Sequence, residues 1–109
     1  MTYGVDMSDR LIDFERENSA PELLMRASEL LTDRGKEYDS KSGERSMGKA
    51  IEAFNAITGI GLTEAEGWLL LQVLKDVRQW QCPTYHQDSA EDCIAYSALK
   101  AEALAYDAK

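Results

Sequence analysis

Two stretches in the C-terminal half of the chain place charged side chains at helical spacing. If both are helices, Lys75 and Arg78 share a face of the first, while Asp88, Asp92 and Tyr96 lie one above another on the second. The pattern is consistent with ion pairs between the two helices. It is also consistent with carboxylates that bind a divalent cation, or with basic side chains that bind a phosphate. We favour the ion pairs, because such clusters often have only an architectural role. If the residues bind a ligand, the cations are the expected contacts.

A second candidate site surrounds Gly35. Arg34 and Lys36 can donate hydrogen bonds to an anion, and an arginine can grip phosphate or carboxylate with two parallel bonds. Tyr38 can stack on a base or cover the core. The same basic residues would also compensate the dipole at the C-terminus of a helix, so the pattern leaves both interpretations open.

The overall charge excludes one class of partner. The chain has 109 residues and a formal net charge of −8. A protein that binds duplex nucleic acid needs a basic face to neutralise phosphates, and we therefore expect no such binding. Positions 34 to 49 are locally basic, with five cations and three acids. This segment indicates either a solvated loop of mixed charge or a contact for a small anion.

The elements that must position these residues are predicted to be helices. The first helix opens with a capping box at Ser19 and Glu22 and stops at Gly35, where a loop to Arg45 begins. Residues 1–18 are expected to form an N-terminal docking arm or a short extra helix, or to stay mobile.

Three further helices follow. One covers about residues 46–58, and the next opens with a capping box at Thr63 and ends before Pro83. The last starts near Asp88 or Ser89, either of which can cap it. The third helix is apolar around most of its circumference, which is typical of a central helix or a subunit interface. The chain therefore reads as an all-α, four-helix bundle-like single domain over residues 19–109.

The apolar runs and the first residues of the chain indicate its compartment, and the number and spacing of its cysteines indicate whether disulfides or a metal site are expected. No apolar run reaches the roughly 20 residues that span a bilayer, and the first residues lack signal-peptide character, so a cytoplasmic location is expected. Two cysteines are too few for a disulfide framework. A metal site at Cys82, His86 and Cys93, with Asp88 as fourth ligand, matches no standard zinc spacing, and we expect ordinary thiols and no metal.

Several motifs together resemble a family of small phage- and prophage-encoded helical proteins of uncharacterised function. They are Arg34-Gly35-Lys36-Glu37-Tyr38, Phe54-Asn55-Ala56-Ile57, Leu74-Lys75-Asp76-Val77-Arg78 and Asp88-Ser89-Ala90-Glu91-Asp92-Cys93-Ile94-Ala95-Tyr96. The resemblance covers about residues 22–104 and implies a virus-encoded protein in the cytoplasm of a bacterial host. The helical layout is also distantly similar to the MazG-like all-α nucleoside triphosphate pyrophosphohydrolases, which hold magnesium with Glu-x-x-Glu on one helix and Glu-x-x-Asp on the next. This chain has no Glu-x-x-Glu.

These features lead to one expectation about function and two alternatives. We expect a non-catalytic accessory protein that needs no cofactor, forms a homo-oligomer, and binds a nucleotide-like anion or a host protein during host takeover or anti-defence. The first alternative is a pyrophosphohydrolase with magnesium at Asp88, Glu91 and Asp92. The second is an acidic decoy for the DNA-binding surface of a host protein. The candidate ligand-binding residues are Arg34, Lys36, Tyr38, Lys75, Arg78, Asp88, Asp92 and Tyr96.

Overall fold

The chain folds into helices joined by short connections. The computed structural model describes residues 13–38 and 46–108. Residues 13–17 belong to a short N-terminal helix, α1, and four longer helices follow: α2 (Ala20–Tyr38), α3 (Ser46–Thr58), α4 (Glu64–Gln81) and α5 (Gln87–Asp107). No strand occurs within the described ranges. The predicted all-α fold is therefore confirmed, with a short helix in the part of the arm that the structure describes.

The turn between α3 and α4 follows the sequence signals closely. Gly59 has a φ of +75°, the left-handed conformation that ends many helices, and its N–H donates to Asn55. The Asn55 side chain accepts from the N–H of Leu62 and donates to its carbonyl, at 2.9 Å in both cases. Thr63 and Glu66 then form the predicted capping box of α4. These local bonds fix the place where α4 begins.

Gly35 does not end α2, although the sequence predicted that this helix would stop there. It lies buried inside α2, which continues to Tyr38. A helical glycine costs only about 1 kcal/mol relative to alanine, an amount that packing against another helix can exceed. Arg34 supplies such packing, because its guanidinium lies over the ring of Tyr96 on α5. The predicted loop is therefore shortened at its start, and residues 39–45 lie outside the described residues.

The start of α5 also differs from the prediction. His86 is the N-cap, rather than Asp88 or Ser89. Its Nδ1 accepts from the N–H of Ser89 at 3.2 Å and lies 2.6 Å from the Ser89 hydroxyl. Ser89 is consequently buried and points back to the cap, while Asp88 lies in the first turn. An imidazole nitrogen can satisfy an orphan N–H as an oxygen does, although histidine is not among the preferred N-cap residues.

The α4–α5 hairpin is the centre of the packing. α4 and α5 are antiparallel, since Trp68 near the start of α4 meets Tyr96, and Lys75 further along meets Asp92. α2 packs on α5, and α3 packs on α4. The buried core cluster lies between α4 and α5 and comprises Ala65, Trp68, Tyr96, Leu99 and Ala103. No described helix is long and apolar enough to cross a membrane.

Candidate functional site

The predicted charged cluster is an ion pair across the α4–α5 interface. Lys75 Nζ lies 2.6 Å from Asp92 Oδ2, and each side chain is only 9% exposed. Asp88 lies 3.8 Å from the same ammonium group, but its side chain is 77% exposed. Helical spacing predicted that Lys75 or Arg78 would pair with Asp88 or Asp92, and the structure places Lys75 beside both acids. Arg78 is exposed in the last turn of α4 and makes no ion pair with any residue that the structure describes.

Burial of this pair limits what it can do chemically. Two charges withdrawn from water are tolerated when they neutralise each other, and removing either one leaves an uncompensated buried charge. The ammonium group of Lys75 therefore pairs with Asp92 and is poorly placed to bind an external phosphate. For the same reason, Asp92 already has a cation and is a poor magnesium ligand.

The three acids of the hydrolase alternative do not converge on one point. Glu91 accepts hydrogen bonds from Arg26 and Gln87, each at 2.8 Å, whereas Asp92 points to Lys75. Among the residues described, no group of three or more histidine, cysteine, aspartate or glutamate side chains is placed to hold a metal ion. The geometry gives magnesium-dependent hydrolysis no support.

Arg26 links several parts of the fold, although no pattern in the sequence singles it out. Its Nε donates to Glu91 on α5, while its two terminal nitrogens donate to the Glu17 carbonyl at 2.6 Å and to Asn18 Oδ1 at 2.9 Å. One guanidinium therefore ties α2 to α5, to the last residue of α1 and to the residue that follows it. Arg26 and Glu91 are 65 positions apart, and no local pattern signals such a contact.

Arg34 and Tyr96, which came from separate candidate sites, meet in a small aromatic cleft. The indole of Trp68 stacks on Tyr96 with centroids 5.6 Å apart, and Arg34 Cζ lies 5.6 Å from the centre of the same tyrosine ring. Leu71 and Met47 complete an open cavity of about 170 Å³. Cation–π stacking on a buried ring explains the position of Arg34 without a ligand.

Lys36, a second member of the candidate site around Gly35, does not join this cleft. Lys36 is exposed in the last turn of α2, where a cation compensates the helix dipole. The side chain of Tyr38 lies outside the described residues. Of the residues proposed around Gly35, Arg34 lines the cleft, whereas Lys36 is exposed away from it.

A larger, open depression of about 550 Å³ lies beside the start of α4 and the end of α5. Its lining includes Glu64, Glu102, Tyr106 and Asp107. The three acids make it unsuited to an anion, and they do not form a metal-binding group. We assign no ligand to it.

Cys82 and Cys93 are both free and partly buried. Cys93 Sγ donates to Asp76 Oδ1 at 3.5 Å. Burial raises the pKa of the Cys93 thiol, and the neighbouring carboxylate of Asp76 raises that pKa further. A thiol held protonated is a poor nucleophile and a poor metal ligand. His86 uses Nδ1 to cap α5, and Cys82 ends α4.

The outward side of α4 carries a group of exposed apolar side chains. We call it the outer face of α4. It consists of Leu69, Leu70, Val73, Leu74, Val77 and Trp80. Leu70 is 64% exposed and Trp80 is 87% exposed. This face lies opposite Trp68 and Lys75, which are buried, and the other described helices leave it exposed.

Comparison with known proteins adds no family to this description. No protein-family model, curated protein or solved structure matches the chain.

Proposed function

We propose that this protein is a non-catalytic binding protein and that the outer face of α4 is its partner-binding surface. The observation that carries the proposal is the contiguous exposure of six large apolar side chains on one helix. Isolated exposed leucines are ordinary on a soluble protein, whereas contiguous apolar patches typically mark sites of protein interaction. The resemblance in the charged motifs adds the setting of a phage accessory protein in the cytoplasm of a bacterial host.

Two features favour a protein partner over a nucleotide-like anion. The cleft at Arg34 has a volume of about 170 Å³, whereas small-molecule pockets usually measure roughly 300–1,000 Å³. Lys75, one of the expected anion contacts, is neutralised by Asp92 inside the interface. The outer face needs no rearrangement to accept an apolar helix or surface.

The test compares two leucine-to-glutamate variants at similarly exposed positions. Leu70 lies on the outer face, whereas Leu104 lies on α5 and is 55% exposed. Tagged wild-type protein, Leu70→Glu and Leu104→Glu are each incubated with bacterial lysate supplemented with the untagged chain, and retained proteins are quantified. We expect wild type and Leu104→Glu to retain the same protein and Leu70→Glu to lose it about tenfold or more, since burying an unpaired carboxylate costs several kcal/mol. Equal retention by both variants would refute the proposal.

A nucleotide-like ligand in the Arg34 cleft is the second candidate, because a cation and two aromatic rings line that cavity. A ligand that binds only the native state must raise the melting temperature. Thermal shifts across a nucleotide panel test this, with Arg34→Gln expected to abolish any shift. No shift at millimolar nucleotide would eliminate the candidate.

The salt dependence of binding distinguishes an acidic decoy from a protein that docks through the outer face of α4. A complex held by the net charge of −8 would weaken steeply as ionic strength rises, whereas apolar docking on α4 would not.

A further inference from the structure

We propose that the outer face of α4 binds a second copy of this chain, with the two α4 helices antiparallel across a two-fold axis near Val73 and Leu74. The inference rests on the proposed function, because it identifies the partner of the same surface. It follows from the spacing of the apolar residues, the charges around them and the area they expose.

The spacing on the outer face is that of a helix that packs on another helix. Leu70, Val73, Val77 and Trp80 recur at intervals of three, four and three residues, with Leu69 and Leu74 beside them. This is the alternation of apolar positions in helix pairs that pack side by side. A two-fold contact requires a surface that complements itself, and an uninterrupted apolar stripe satisfies that requirement.

The charges around the stripe favour the antiparallel orientation. Within the outer face no charged side chain lies between Leu69 and Trp80; Asp76 and Arg78 flank it, and Glu66 lies on its N-terminal side. In an antiparallel pair, the Glu66 end of each helix meets the Arg78 end of the other. A parallel pair would bring like charges and like helix ends together. The charge pattern therefore complements its own antiparallel copy.

The area is sufficient for a modest dimer. The six side chains expose on the order of 600 Å² per copy, whereas a standard stable interface buries about 800 Å² per partner. A patch of this size is at the upper limit of the largest patch on a typical monomer, roughly 300–600 Å².

The first experiment measures the mass of the full chain in solution by light scattering after size exclusion, at micromolar concentration and above. We expect wild type and Leu104→Glu to have the mass of two chains and Leu70→Glu to have the mass of one, with unchanged helical circular dichroism in all three. A single-chain mass for wild type, or a two-chain mass for Leu70→Glu, would overturn the inference.

The second experiment determines orientation with single cysteines in a Cys82→Ser/Cys93→Ser background. Val73→Cys lies beside the proposed axis, so two copies should form a disulfide under mild oxidation. Gln81→Cys lies near the end of α4, where two copies of an antiparallel pair would be about 20 Å apart at 1.5 Å per residue. A disulfide requires a Cα separation of roughly 4–7 Å. Crosslinking at position 73 alone supports the antiparallel pair; crosslinking at both, at 81 alone, or at neither contradicts it.

The outcomes also separate this inference from the proposed function. A monomeric wild type that still loses a lysate protein when Leu70 is changed to Glu would retain the binding surface and reject the second copy as its occupant. A dimer that survives Leu70→Glu, with no protein lost, would reject both.

Discussion

At the scale of single residues, the buried ion pair of Lys75 and Asp92 joins α4 to α5. We predict that Asp92→Ala lowers the free energy of unfolding by about 3–5 kcal/mol, because Lys75 is then left buried without its nearest carboxylate. Asp88→Ala is the control, since its exposed carboxylate contributes at most about 1 kcal/mol. Urea denaturation followed by circular dichroism measures both.

Replacing the whole pair separates its charge from its packing. Lys75→Met/Asp92→Leu removes both charges and keeps apolar bulk, and buried pairs replaced in this way are often neutral or stabilising. If the double variant lost as much stability as Asp92→Ala, the cost would lie in packing rather than in the unpaired charge.

Cys93 provides a pH-dependent prediction at the same scale. Because burial and Asp76 raise the pKa of this thiol, the folded protein keeps its proton at pH values where an unfolded chain, with a thiol pKa of about 8.5, loses it. The resulting stability is fully present below that pH and is lost as the pH rises through the folded pKa. Alkylation of Cys93 in a Cys82→Ser variant should therefore have a midpoint above that of a free thiol, and Asp76→Asn should lower it. An unchanged midpoint in Asp76→Asn would contradict the role of the carboxylate.

Contacts between single residues could be predicted from the sequence only where they follow from helical spacing. Lys75 met Asp92 because both lie beside a short connection that folds α4 back on α5. The contact between Arg26 and Glu91 could not be predicted, because no local sequence pattern determines how α2 packs on α5. The cleft at Arg34 depends on that same placement of two distant helices.

At the scale of elements, the end of α3 depends on one glycine conformation. We predict that Gly59→Ala lowers the free energy of unfolding by about 1 kcal/mol, since a side chain at a φ of +75° is strained although open space surrounds the position. Gly61→Ala is the matched control, because it also faces open space and lacks a positive φ. Thermal melts of both variants provide the comparison, and equal losses would show that the left-handed turn is not the cause.

Helix boundaries could be predicted where side chains bond to their own backbone. Thr63 and Glu66 satisfy the first turn of α4 locally, so the sequence alone locates that end. The end of α2 could not be placed, because Gly35 is retained in the helix through packing rather than local preference. The N-cap of α5 was predicted wrongly for a different reason. His86 occupies this position, where serine, threonine, aspartate or asparagine is usually found.

At the scale of the whole molecule, the shape is too extended for one fully covered core. The radius of gyration is 17.9 Å, whereas a compact domain of this length has about 13 Å. α3 contains no buried residue although it is rich in apolar side chains, and it lies on α4 where Gly67 leaves room for Met47 and Ile51. The sequence showed that α4 is apolar around most of its circumference, but only the packing of α5 and α3 determines which side remains uncovered.

That uncovered side gives a prediction about stability as a function of concentration. If two copies pair through the outer face, unfolding is coupled to dissociation, and the melting temperature of wild type should rise as protein concentration increases. Leu70→Glu should melt at a temperature independent of concentration, because its monomer has no interface to lose, while Leu104→Glu should follow wild type. Differential scanning calorimetry over a hundredfold range of concentration measures the three slopes. A flat slope for wild type would mean that the apolar side of α4 stays uncovered by a second chain, even at the highest concentration.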